Sequence, residues 1–480
     1  MLSIPFKEDN MVTAAQPKAK PTIQQVLPTF QEMLPTPFIR DLAKTAYAPK
    51  RFYERLFTPV VMVWCLVFQR LNADHSCDAV VSHIGSTALD HLDDRHGAPP
   101  SQRMRSASSS AFCQAREVLP LDILKGALRQ TAHQIQHAAG ESALWLGHRV
   151  ALLDGTTLAL YPSDDLVHHY GQHANQRGAT YWVVMRVTAA FCLLTGSLLG
   201  VAEGSLRQSE QVLVRTVLAH LHADSVCVGD QNFGVFSVVQ AARHHAVFVL
   251  LRLTAARARA LTTCSLHAGL DIPVVWTPSS RDHCDATMST APIAGRLLSV
   301  RVQRDGFRPA DLYLFTTLLD KTRYTLDALC LLYGQRWHVE LDLRYVKDTL
   351  DMGLLYAKSV DTVRKELYAG LIAYNLIRAW MRQAAQRAGL TPLALSFTQC
   401  WRRVRDTLLY LRPADTRHDI RLDIQRLLSR LATCLLQNRP RFRIEPRAVR
   451  KRRAQYPPLK GSRAVARQRT LEQLQAPAKS

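Results

Sequence analysis

The sequence predicts a layered α/β protein with a helical region in front of it and a β-rich insertion within it. Three observations point there. Helical periodicity fills residues 23–140; near His148, short runs of Val, Ala and Leu begin to alternate with amphipathic stretches; prolines then punctuate short strand candidates until a helical pattern returns near Thr325.

Residues 1–21 mix Pro, Lys and polar side chains without a period and read as a mobile tail. Thr58 and Pro59 form a cap and first-turn pair for an apolar helix running to Leu71, and Ser110–Leu119 and Leu121–Ala139 read as two more helices parted by Pro120. With Arg103, Arg105 and Arg116 nearby, the region is a candidate DNA-reading module, although any small helical domain shows the same pattern. Arg149–Asp154 is an apolar run ending at Asp-Gly, with Tyr181–Leu194 and Ser197–Ala202 as further strands. Ser209–Leu221 reads as a helix, Ser225–Gly229 as a buried strand, Phe233–His244 as a helix and Ala246–Leu253 as a fifth strand.

From Ala256 to Tyr324 the alternation stops, and Pro273, Pro278, Pro292 and Pro309 separate strands such as Leu297–Gln303 and Leu312–Thr317. Val363–Ala388, with Gly389 as its stop, and Asp419–Gln437 are long amphipathic helices. The expected division is a tail (1–25), a helical domain (26–145), a core in two parts (146–255 and 326–415), the insertion between them (256–325), and a C-terminal helix with a basic tail (416–480).

Charge narrows the partner. With 61 Lys and Arg against 39 Asp and Glu the net charge is +22, which attracts polyanions, nucleic acid ahead of anionic lipid. Between Arg439 and Arg469, 12 basic residues face one acid, Glu445; no core forms from such a run, which suits a solvated tail that touches phosphates. The ten cysteines contain no CxxC pair, which disfavours zinc and fits a reducing cytoplasm. Val60–Phe68 falls far short of the roughly 20 apolar residues that span a bilayer, so a cytoplasmic protein is expected.

Candidate chemistry gathers in Leu331–Leu350 (LLYGQRWHVELDLRYVKDTL). At about 100° per residue, with Tyr333 at zero, Arg336 falls near ~300°, Lys347 near ~320° and Glu340 near ~340°, so all four share one narrow face. By the same count of about 100° per residue, Asp342 points away near ~180°. A solvated face with an i, i+4 Arg336–Glu340 pair is the plainer alternative. Asp154 ends the first strand of the α/β region and Asp230 follows the strand Ser225–Gly229; taken singly, each is a helix cap or turn former. If those strands are neighbours, both carboxylates meet at one sheet edge, where ligands of open α/β sheets collect, and Glu340 reaches the same point from a helix packed on the sheet. Three hard oxygen donors without His or Cys suit Mg2+ or Mn2+. His168, His169 and His173 lie in an expected loop without a matching zinc motif, and loop packing or DNA-backbone contact is the better reading of them.

ALLDGTTL around Asp154, VGDQNFG around Asp230, and the Y-x2-R-x3-E-x6-K array of Tyr333, Arg336, Glu340 and Lys347 resemble the signatures of the IS-four family of bacterial insertion-sequence transposases. The resemblance runs from the helical N-terminal region into the helices after Lys347. It implies an RNase H-like catalytic core with a helical N-terminal domain and a β-rich insertion. It further implies that Asp154, Asp230 and Glu340 bind two Mg2+ or Mn2+ ions, and that Tyr333, Arg336 and Lys347 hold the phosphates of the element's ends. The implied reaction is metal-dependent cleavage and strand transfer through a hairpin, by a homodimer on two DNA ends. Trp337 and Trp276 are candidates, by location, for handling a flipped base; packing is the rival role for each. A nuclease that only hydrolyses DNA, and a domesticated relative that only binds it, stay open as alternatives.

Overall fold

The computed structural model describes residues 33–48, 55–85, 100–175, 178–280, 282, 289–302, 310–410, 417–436 and 463–475. The chain forms two compact units, residues 1–436 and 437–480. In the second, the described residues form one helix, Arg463–Gln475, which overlaps the end of the run Arg439–Arg469 read as a solvated basic tail and continues past it. The rest of that run, and the N-terminal tail, lie outside the described residues.

The first unit begins with helices α1 (Thr36–Tyr47), α2 (Pro59–Leu71), α3 (Cys77–Gly85), α4 (Ser110–Val118) and α5 (Leu121–Ala139). Thr58 caps α2 as expected, its hydroxyl accepting from the Val61 N–H at 3.3 Å. Every residue of α2 except Gln69 is buried, which accounts for the apolar run that is too short to span a membrane. Among the described residues no helix is long and apolar enough to cross a membrane.

The sheet follows: β1 (Val150–Leu160), helix α6 (Asp164–Tyr170), β2 (Gln172–Asn175), β3 (Gly178–Cys192), β4 (Leu198–Ser205), α7 (Glu210–Leu218), β5 (Val226–Gly229), α8 (Phe236–His244) and β6 (Phe248–Leu253). β3 runs antiparallel to both β1 and β4, while β1, β5 and β6 are parallel, giving the spatial order β4-β3-β1-β5-β6. Three antiparallel strands followed by two parallel ones, with the first strand central, is the RNase H-like arrangement. His168 and His169 lie in α6, not in a loop: Ser163 caps this helix, its hydroxyl accepting from the Leu166 N–H.

The insertion supplies helix α9 (Ala255–Ala260) and strands β7 (Leu270–Trp276), β8 (Ile293–Val302) and β9 (Ala310–Thr316). It is β-rich, as the prolines indicated, and it extends the same sheet: β9 pairs antiparallel with β6, then β8 and β7 follow. Arg296 of β8 is buried against Asp271 of β7 (Nη2 to Oδ2 2.5 Å) and donates to the Leu318 and Tyr324 carbonyls, tying the insertion to the segment that leads back to the core.

After it come α10 (Leu326–Gly334), α11 (Trp337–Arg344), a π-turn at Tyr345–Thr349, β10 (Leu354–Leu355), α12 (Val360–Ala388), α13 (Phe397–Tyr410) and α14 (Arg417–Ala432). α12 packs on α2 and α5, joining the N-terminal helices to the sheet. Its buried Asn375 completes the joint, bonding the Leu198 N–H (2.8 Å), the Leu198 carbonyl (3.0 Å) and Thr131 Oγ1 (3.1 Å). Gly389 ends α12 at φ +67, a left-handed conformation that favours glycine.

Two apolar clusters cover the two faces of the sheet. Leu152, Leu158 and Val228 belong to the cluster shared with α2, α5, α10, α11 and α12; Ala151, Leu153 and Cys227 belong to the one shared with α7 and α8. Because strand side chains alternate between faces, this division fixes where each polar residue of the central strands points.

Candidate active site

Asp154 lies within β1, not at its end. The sequence reading stopped the strand at Asp-Gly, but β1 pairs with β3 as far as Leu160. What does end there is the pairing on the other edge: β5 joins β1 through Leu152 opposite Val228, and β10 joins it again only at Ala159. Asp154 therefore faces a gap in the ladder. Two residues past the last pair on each strand stand Asp154 and Asp230, both in phase with residues of the α10–α11 face.

Asp230 closes β5 with a turn of its own making. Its Oδ1 accepts from the Asn232 N–H at 2.9 Å and its carbonyl from the Phe233 N–H at 3.2 Å. The loop is clamped from outside, since Arg257 Nη1 donates to the Gln231 carbonyl (2.9 Å) and Gln211 Nε2 to the Asn232 carbonyl (2.8 Å).

The helix expected to carry four polar residues on one face is not continuous. α10 ends at Gly334, Gln335 and Arg336 form a turn, α11 starts at Trp337, and the chain passes Lys347 in a π-turn. A count at about 100° per residue assumes unbroken α-helix, so it does not hold across these joints. Tyr333, Arg336 and Glu340 nevertheless come together: Arg336 bonds Glu340 (Nη2 to Oε1 2.7 Å), approaches Asp154 (Nη1 to Oδ2 3.7 Å) and lies near enough to Tyr333 to act on its phenol. Among the described residues Lys347 has no ion pair or side-chain hydrogen bond, and its carbonyl accepts from the Gly353 N–H at 3.1 Å.

Electrostatics registers the gathering. Burial pushes the Asp154 carboxyl up to about 6; Asp230 and Glu340 push the same way, against the Gly155 N–H, which donates at 2.8 Å, and the Arg336 guanidinium. Burial opposes the charge on Arg336, yet its bond to Glu340 and the nearness of Tyr333 and Asp154 outweigh it and raise its pKa. Burial also raises the Tyr333 phenol, against the pull of Arg336 and Arg252. Asp154 is repelled by both other acids, and side chains that offer only oxygen are of the chemical type that suits a divalent cation. Among the described residues, no three His, Cys, Asp or Glu side chains stand close enough to share one ion. Here the positive charge at the acids is Arg336, which lies between Asp154 and Glu340.

Asp342, read as pointing away, does turn from Arg336, and what it meets is core. It is 3% exposed, forms an ion pair with Arg378 of α12, and lies 3.0 Å from Tyr374 Oη; burial pushes its carboxyl up to about 6 against that pairing. The Arg378 guanidinium is stacked among the rings of Tyr345, Tyr374 and Phe397, 5.0–5.5 Å from their centroids. Of the two tryptophans, Trp276 packs edge-on against Phe236 and Phe315, while Trp337, next to Arg336, is 55% exposed.

The sequence reading missed Glu210. At the first turn of α7 it looks like a helix-dipole residue, yet its Oε2 accepts from Asn232 Nδ2 at 2.6 Å and its carboxyl lies where a Cβ on Gly155 would be. The glycine after Asp154 was the available signal.

A transposase DDE domain matches residues 145–376, from just before β1 into α12. The chain is similar to the transposase InsG for insertion sequence element IS4 of Escherichia coli (strain K12), 24% identical over 422 residues, which cover 85% of this chain and 88% of that one. It is also similar to the putative transposase y4zB of Sinorhizobium fredii (strain NBRC 101917 / NGR234), 31% identical over 114 residues, 24% of this chain and 31% of that one. A cryo-EM structure of piggyBac transposase in a synaptic complex with hairpin DNA aligns over 86% of each chain at 9% identity and a TM-score of 0.41. The RNase H-like sheet thus matches a transposase DDE domain, and along most of its length the chain is similar to an IS4 transposase.

Proposed function

We propose that this transposase cleaves and joins DNA at the ends of an insertion sequence, with Asp154, Asp230 and Glu340 holding two Mg2+ (or Mn2+) ions and Tyr333, Arg336 and Lys347 holding the phosphates beside the cut. The observation that carries the reading is the gap in the sheet where Asp154 and Asp230 stand in register on the face that Glu340 approaches. Asp154, Asp230 and Glu340 would hold such a pair, whose chemistry would be to activate the attacking oxygen and neutralise the leaving one.

The chain's own residues supply the rest. Arg336 offsets the charge of Asp154 and Glu340 in the DNA-free protein, and its planar fork also suits a phosphate. On the bound DNA end it exchanges carboxylate for phosphate, which frees the acids for ions and fixes the scissile bond in one movement. Lys347, unpaired among the described residues, is a point charge for a neighbouring phosphate. The excess of positive charge draws the duplex in. Hydrolysis of one strand frees the element's 3′-hydroxyl, which attacks the phosphodiester of the opposite strand, closing a hairpin as the flanking DNA leaves with its own 3′-hydroxyl; two chains on two ends form the working dimer.

The test is cleavage and strand transfer of an element-end duplex in Mg2+, run with Glu340→Gln alongside. Cleavage by the native chain, hairpin and joined products on a denaturing gel, and loss of both with DNA binding kept in the variant are the expected result. Cleavage without joined product returns the chain to the nuclease reading; a variant as active as the native chain removes Glu340 from the chemistry.

A further inference from the structure

We infer that Glu210 is a positioning residue for Asp230, acting through Asn232 from the face of the sheet opposite Glu340. This rests on the reading of Asp230 as a metal-binding acid.

Three observations meet here. Gly155 alternates with Asp154 along β1, in phase with Ala151 and Leu153, so it faces the α7–α8 side. Glu210, at the start of α7, occupies the space a side chain on Gly155 would need, which brings its carboxyl directly behind the Asp154 backbone. From there Glu210 Oε2 takes the Asn232 amide at 2.6 Å, and the Asn232 N–H fixes Asp230 Oδ1 at 2.9 Å.

The consequence is a wire from the back of the sheet to the front. Gln211 and Arg257 hold main-chain carbonyls of the Asp230 loop and set its path, and Gln211 adds a longer bond to the Asn232 side chain, Nε2 to Oδ1 at 3.4 Å. Among the described residues Glu210 makes the shorter bond to this side chain, and a charge-assisted one. It also links the two aspartates, which lie on different strands: the carboxyl touching the glycine beside Asp154 is the one that orients the loop of Asp230. Glu210 cannot serve as a fourth ligand through Gly155, because the sheet stands between it and the face that carries Glu340.

A positioning role and a ligand role differ in what the conservative variant does. Glu210→Gln keeps an amide oxygen for the Asn232 donor, so its turnover should stay within about threefold of native, whereas Glu210→Ala should lower kcat by about ten- to hundredfold, the usual loss for partners behind a metal ligand, with KM for the DNA end unchanged. Asn232→Asp sets two carboxylates against each other and should lose as much as Glu210→Ala. Pairing it with Glu210→Gln reverses donor and acceptor and should restore most of the turnover, which holds as a test even if Glu210→Ala fails to fold. Glu210→Ala at native rate, Glu210→Gln as slow as Glu210→Ala, or a reversed pair no better than Asn232→Asp would each overturn the inference. Asp230→Asn separates the two layers: if it too cleaves normally, the reading of Asp230 has failed; if it is inactive while the Glu210 variants are silent, only this inference falls.

Discussion

Helix α11 carries two acid–arginine pairs two residues apart, and they behave as opposites. Glu340 meets Arg336 where the two side chains keep 32% and 19% of their surface exposed; Asp342 meets Arg378 with 4% and 2%. The outer pair has spare partners, since Asp154 and Tyr333 both reach the same guanidinium. The inner pair is closed over by three aromatic rings and has nowhere to go. One helix thus shows a pair able to exchange carboxylate for phosphate on one side, and on the other a pair that keeps the helix in place while it does so. The cost of a buried ion pair makes it a poor source of net stability but a good peg, because removing either partner strands the other.

The largest expected effect is on the peg. Arg378→Ala leaves the Asp342 carboxylate among Tyr374 and Phe397 without a cation and should cost about 3–5 kcal/mol in denaturant unfolding. Loss of under 1 kcal/mol would mean water or a neighbour replaces Arg378, and the contrast between the pairs would collapse.

His83 sharpens the lesson away from the sheet. It stacks on Phe68 with ring centroids 3.4 Å apart, and burial depresses its pKa to about 4. Folded below its ordinary value near 6.5, this group contributes stability that is whole above that pH and is lost as pH falls toward 4, because the unfolded chain takes the proton first. The window carries up to about 3 kcal/mol. Thermal melts between pH 7 and 4.5 should show that loss in the native chain and a flatter profile in His83→Gln; parallel profiles would take His83 out of the account.

The smallest stability effect belongs to the outer pair. Arg336→Met should change unfolding free energy by about 1 kcal/mol or less, as partly exposed ion pairs do. The same variant should lose end cleavage by well over tenfold. A large destabilisation with cleavage intact would make Arg336 the peg and not the mobile partner.

How much of this was readable in the sequence follows the same division. Leu121–Ala139 was legible to the residue because Pro120 starts it and Gly140, at φ +57, ends it. The order from β4 to β6 was legible because β5 and β6 are short and apolar and β4 and β5 are each followed by an amphipathic helix, whereas α6 and β2, just after β1, went unread. Asp-Gly at residues 154–155 misled, since the pair usually marks a turn; here β3 holds the strand straight through it and the missing Cβ makes room for Glu210. The break at Gln335 and the π-turn after Arg344 were invisible, because both depend on what the helix packs against. The placing of Asp342 opposite Glu340 could be counted from spacing, but its partner Arg378 is 36 residues away and reaches it only through the packing of α12. Glu210 was hidden for the same reason: first-turn acids are common on helices, and only the sheet reveals what this one touches.

The most direct measurement of the central claim replaces Mg2+ by Fe2+ in the chain bound to its DNA end and maps where ascorbate and peroxide cut the polypeptide. The account predicts backbone cuts beside Asp154, Asp230 and Glu340 together, suppressed by excess Mg2+. Cuts confined to other segments, or sparing any one of the three, would contradict it.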